Sequence, residues 1–153
     1  MKALKVAEYF IDFSRAVGDP LTNLKLQKLL YYAQGWYLAL KDKPLFHERI
    51  EAWPHGPAVP PVYGLYKGWK WQPIGAKVSA DPDDYSADVL GHLNEIMQVF
   101  GTLTAYQLER MTHREKPWLD ARGSLPIDAP SHEVITQESM KQYFKSLAAQ
   151  QKS

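Results

Sequence analysis

The chain has 153 residues, 45% of them hydrophobic and 23% charged, a balance that suits one soluble globular domain. It has no cysteine, which excludes disulfides, Cys-ligated zinc, iron–sulfur clusters and thiol nucleophiles. Eighteen Lys and Arg against 17 Asp and Glu leave a formal charge of +1, so no global field draws the protein to nucleic acid or to acidic membranes.

The first element is an amphipathic helix. Ala3, Leu4, Val6, Ala7, Phe10, Ile11, Phe13 and Val17 recur at helical steps. Glu8 and Asp12 interrupt any apolar run, which argues against a signal peptide. No stretch approaches the ~20 apolar residues of a membrane span, so the expected compartment is the cytoplasm. Gly18-Asp19-Pro20 is a turn. Thr22 then caps a second helix, with Leu21 and Leu26 at the positions of a hydrophobic staple. Leu26, Leu29, Leu30, Ala33, Trp36, Tyr37 and Leu40 form its apolar stripe, and Pro44 stops it.

From Phe46 to Trp53 the pattern fits a short strand or an irregular connector. If extended, Phe46, Ile50 and Ala52 face one way and His47, Glu51 and Trp53 the other. Pro60 suits the first position of a short helix carrying Val62, Tyr63, Leu65 and Tyr66, which ends near Gly68. Residues 69–84, with Trp69 and Trp71, read as a loop or a two-stranded ribbon. A helix starts near Ser86 and ends at Gly101, and a shorter one with a Thr104/Gln107 capping box runs to about His113. The run from His113 to Pro126 reads as a turn anchored by Trp118. Thr136 caps a last helix with Met140, Tyr143, Phe144 and Leu147. The expected whole is a mainly α, compact single domain of about six helices. Its aromatic-rich middle is irregular, with room for short strands. The domain spans residues 3–148, and a polar tail over 149–153 frays.

Little in this pattern encodes chemistry. The five histidines, His47, His55, His92, His113 and His132, form no metal-ligand pair at helical spacing, and read as surface or capping groups. No serine sits in a nucleophile elbow, and no Gly-rich phosphate loop is present. Asp81, Asp83 and Asp84 read as a solvated loop. Lys25 and Lys28 share a helix face, and Trp69, Lys70 and Trp71 put a charge between two stacking rings, but neither amounts to a nucleic-acid site. No cofactor is expected. The positive signal is aromatic: Trp53, Trp69, Trp71 and Trp118 all fall outside the strong helices, and such residues dominate binding hot spots. The residues thus point to a protein-binding module, with a small enzyme or a nucleic-acid binder as the alternative class.

"LTNLKLQKLLYYAQGWYLAL" followed by "PLFHERIEAWPHGPAVPPVYGLYK" resembles the Panacea domain family. That family includes SocA-type antitoxins and phage-associated GepA-like proteins. The likeness rests on Leu26, Lys28, Leu29, Leu30, Tyr31 and Tyr32, then Leu45, Phe46, Glu51, Ala52, Trp53, Gly56, Pro57 and Tyr63. Ala58 before Val59, and a second proline after Pro60, depart from the pattern. Met111-Thr112 and Pro117-Trp118 match a later feature loosely, so the likeness covers roughly residues 3–120. It implies an antitoxin without enzymatic activity, which neutralises a toxin from the adjacent gene by direct contact. The related alternative is an adaptor that delivers the toxin to the ClpXP protease. Gly56 is expected to permit a turn, Pro57 to fix it and Pro60 to start the next helix. Trp53 and Tyr63 are expected to pack the connector onto the second helix, while Arg49 and His55 reach the partner.

Overall fold

The structure, a computed structural model, describes residues 1–152. In chain order it runs α1 (Ala3–Ala16), α2 (Asn23–Lys41), β1 (Ile50–Trp53), β2 (Gly56–Ala58), α3 (Pro60–Tyr66), α4 (Ala87–Phe100), α5 (Ala105–Thr112), α6 (Lys116–Arg122), β3 (Val134–Ile135) and α7 (Gln137–Lys152). The domain is mainly α, with one small antiparallel sheet in the order β2-β1-β3.

α2 is the axis, packed against α1, α3, α4, α5, α7 and β2. The Thr22 hydroxyl caps it by accepting from the Lys25 amide, and Leu21 and Leu26 are both buried. The apolar stripe understates this helix, because nearly its whole circumference is buried. Its polar side chains are therefore clamps, as buried donors and acceptors require. Gln34 accepts from the Leu45 and Phe46 amides at 2.7 and 3.3 Å and donates to the Phe46 carbonyl. Gln27 accepts from the Val59 amide at 2.8 Å. Asn23 donates to the Tyr63 carbonyl, and Lys25 to the Gly101 carbonyl at 2.6 Å. Lys25 and Lys28 are thus interior groups, and neither forms a basic surface.

α7 lies along α2 at glycine distance. A Cβ at Gly35 would clash with the edge of the Phe144 ring, and that ring also meets Tyr31, Tyr32 and Trp36. At the end of α2, Asp42 adopts a left-handed φ of 61° and pairs with Lys141 and Lys145 of α7 at 2.8 and 3.0 Å.

The sheet settles the connector question in favour of strands. Trp53 pairs with Gly56, so Pro54 and His55 form a two-residue hairpin turn. Residues 69–84 form no ribbon: they run as a loop with one isolated bridge from Pro73 to Thr22 and a 3-10 turn at Pro82–Asp84. The loop is tied to α1 by Arg15, which donates to the Ile74 and Ala76 carbonyls, and to Leu21 by the Ile74 amide. The expected turn after His113 is instead the helix α6. Pro117 sits in its first turn, where the missing N–H costs nothing. Residues 149–152 continue α7, and Ser153 lies outside the described residues. Among the described residues, no helix is long and apolar enough to cross a membrane.

Candidate partner-binding site

The hairpin signature builds a face around one carboxylate. Alternation along β1 puts Glu51 and Trp53 on the same side, two residues apart. Glu51 is only 2% exposed. Its oxygens accept from Arg49 Nε at 2.6 Å and Trp53 Nε1 at 2.9 Å, and lie 3.2 Å from His132 Nδ1. Burial pushes the carboxyl up, but the bonds from Trp53, Arg49 and His132 outweigh it and hold Glu51 below its ordinary range. The groups that cover Glu51 remain outward. The Arg49 and His132 side chains are 56% and 89% exposed, and Trp53 is half-buried. Tyr63 on α3 meets the Trp53 ring edge-on at 4.8 Å. Glu51 therefore presents Arg49, Trp53, Tyr63 and His132 as one set.

Trp53 and Tyr63 pack on each other. Asn23 of α2 holds the Tyr63 carbonyl, and Gln27 of α2 holds the Val59 amide, so the hairpin and α3 are fastened to α2 by polar contacts. Gly56 has φ 113°, closed to ordinary side chains, and a Cβ there would lie 2.9 Å from both Lys28 Cε and Thr112 Oγ1. Pro57 is buried in β2. Beneath the turn, Lys28 is 1% exposed. Burial lowers its pKa to about 7, against the pull of Glu109. His55 is exposed and lies 3.2 Å from Glu109.

The back of the sheet rests on α6. Trp118 donates to the Trp53 carbonyl at 2.8 Å and stacks on His113 at 4.3 Å. The His113 Nε2 is buried without a hydrogen-bond partner among the described residues. Its pKa is pushed down by burial, with Glu109 and the Pro54 carbonyl pulling the other way. Arg122 lies over Trp118 and donates to the carbonyls of Ala52, Pro126, Ile127 and Ala129. It stitches the residues before β3 to β1, which brings His132 to Glu51.

Of the sequence candidates, Arg49, Trp53 and Tyr63 come together on the outer face, with His55 at the hairpin tip. Lys28, Tyr31, Gly56, Pro57 and Trp118 lie inside. Among the described residues, no hydrogen bond or ring contact joins Trp69 or Trp71 to the Glu51 set. Trp69 lies over Gly75, and Trp71 projects, 78% exposed. The sequence reading missed His132 and the role of Glu51 as hub. The signal for Glu51 was available in the Arg49-x-Glu51-x-Trp53 spacing, which puts three hydrogen-bonding groups on one side of a strand. Two histidines are not surface groups: His113 under Trp118, and His92, whose Nε2 lies 2.9 Å from the Ala33 carbonyl. Among the described residues, no three of His, Cys, Asp or Glu gather to hold a metal ion.

Comparison with known proteins bears on this arrangement. The family model described as antitoxin SocA-like, Panacea domain, matches residues 26–119, which contain α2 from Leu26 onward, the β1–β2 hairpin and the chain from α3 to Trp118. The antitoxin SocA of Caulobacter vibrioides (strain NA1000 / CB15N) is 32% identical over 130 residues, covering 76% of this chain and 68% of that protein. No solved structure matches the chain. The chain belongs to the SocA-like antitoxin Panacea domain family.

Proposed function

We propose that this protein is an antitoxin that neutralises a toxin by direct protein contact, and that the contact is centred on Arg49, Trp53, Tyr63 and His132. Family membership supports the role. The observation that carries the location is the anchoring of exposed Arg49 and His132 and half-buried Trp53 on buried Glu51. Trp, Tyr and Arg dominate interface energetics, and groups already held in place lose little entropy on binding. The partner is a toxin encoded beside this gene, and the site of action is the cytoplasm.

The test is co-expression with that toxin. Wild type restores growth and co-purifies with the toxin. Arg49→Glu together with Trp53→Ala loses both while the helical circular dichroism is kept. Failure of wild type to rescue or capture the toxin would overturn the function, and full activity of the double variant would overturn the location. Toxin half-life in the same cells separates blocking from delivery to ClpXP. A blocked toxin persists in the complex, and a delivered one disappears only when the protease is present.

A further inference from the structure

A second concave site lies apart from the Glu51 set, in a cleft of about 500 Å³ between α2, α4 and α7. Its walls include Trp36, Ile96, Phe100, Phe144 and Leu147, and its rim carries the exposed side chains of Leu40 and Val99. Inside this apolar lining sits the carboxylate of Glu115, 7% exposed. Glu115 occupies the N-cap position of α6, yet its side chain does not cap that helix. Its two oxygens instead accept from Tyr31 and Tyr32 hydroxyls, each at 3.0 Å. That leaves part of the acceptor capacity of a carboxylate unused. Among the described residues, no Lys or Arg lines the cleft, and its other ionisable neighbours are Tyr32, His92 and exposed Glu95.

A buried carboxylate without a counter-charge is costly, so this lining selects an occupant that brings a cation and an apolar body together. The aromatic walls favour the same chemistry, because an ammonium is attracted to ring faces. The volume is that of a small-molecule site, and a folded partner resting on the rim would not reach a carboxylate so deeply set. We propose that this cleft binds a small lipophilic amine, its ammonium on Glu115 and its apolar body along Trp36, Phe100 and Phe144. The site is independent of the antitoxin reading, since none of the Glu51 set lines it. Burial pushes Glu115 up to about 7, against the Tyr32 and Tyr31 hydrogen bonds. An arriving ammonium supplies the missing charge and returns the group to its ionised form.

The probes are n-octylammonium, octanol and octanoate, each below its micelle concentration, titrated against the full chain and followed by the Met111 methyl and Trp36 indole signals in NMR. The expected result is saturable octylammonium binding, tighter than octanol by about tenfold or more, as a charge-assisted contact implies. Octanoate binds least. E115Q brings octylammonium to the level of octanol. Because E115Q also alters the tyrosine hydrogen bonds, A148W provides a second variant. Ala148 lines the cleft from α7 and takes no part in the Glu115–tyrosine hydrogen bonds, so A148W is expected to exclude octylammonium while melting within a few degrees of wild type. Equal affinity for octylammonium and octanol, or no saturable binding of any probe to wild type, would overturn the proposal. So would A148W abolishing toxin capture in the absence of probe binding, which would make the cleft a protein interface.

Discussion

Two residues decide whether the hairpin face exists. At Gly56, φ of 113° and the close approach of Lys28 and Thr112 leave no room for a side chain. Gly56→Ala must therefore either strain the backbone or lift the turn off α2. The expected loss is about 1–3 kcal/mol, read as a lower urea midpoint, together with weaker toxin capture. A stability equal to wild type would mean that the turn relaxes freely. Glu51 acts differently, through the groups it anchors. Glu51→Gln keeps the shape but removes the charge from a buried site with three polar neighbours. The expected cost is about 1–3 kcal/mol. Glu51 is held below its ordinary pKa of 4.5, so its contribution is present above that value and fades as pH falls through the depressed one. The gap between wild type and Glu51→Gln should then close on acidification. A gap that stays constant would show that charge is not what Glu51 supplies.

Among the elements, α2 and α7 depend most closely on each other, and Gly35 is the reason. With the edge of the Phe144 ring in the way of a Cβ, Gly35→Ala should move α7 outward at a cost of about 1–3 kcal/mol, the usual range for overpacking. The shift should appear as faster amide exchange in α7 than in α1. Equal exchange in the two helices would show that Phe144 finds another rotamer. This scale also shows what sequence can and cannot disclose. α1, α2, α4, α5 and α7 are legible because each carries several turns of periodic apolar residues and a cap or stop. Thr22, Ser86 and Thr104 all accept the backbone hydrogen bond their positions imply. α6 is not legible. Seven residues with a proline in the first turn and one large apolar anchor look like a turn until Trp118 and Arg122 have a sheet to rest on. β3 is two residues long and exists only because β1 is there to pair with. The outer face is half legible. Arg49, Glu51 and Trp53 share a strand side by spacing alone, whereas His132 arrives from 81 residues away. The amine cleft is not legible at all, since Tyr31 and Glu115 are 84 residues apart and no local pattern joins them.

For the whole molecule, two buried ionisable groups against α2 shape stability in opposite directions. Glu115 has its pKa raised from 4.5 to about 7, chiefly by burial, with Tyr31 and Tyr32 its direct neighbours. Between those values the folded protein holds a proton that the unfolded chain has released, so stability falls as pH rises, by roughly 3 kcal/mol in all. Lys28 has its pKa lowered from 10.5 to about 7, again chiefly by burial. Between about 7 and 10.5 the unfolded chain holds a proton that the folded protein lacks. Stability therefore rises with pH there, by up to roughly 5 kcal/mol at the upper end. His92 and His113, both pushed down by burial, offset part of the Glu115 limb. They do not touch the Lys28 limb. The two opposed slopes meet near neutrality, where the protein carries both penalties together. Lys28→Met removes the buried amine and should be more stable than wild type at about pH 7, with the advantage shrinking toward about pH 9. E115Q should show the converse, gaining on wild type from about pH 5 to 7 and holding level above. Urea unfolding of the three proteins at those pH values reads both slopes. If Lys28→Met and wild type keep parallel stability curves across the upper window, Lys28 stays charged in the fold, and the interior beneath the hairpin turn must then solvate an ammonium.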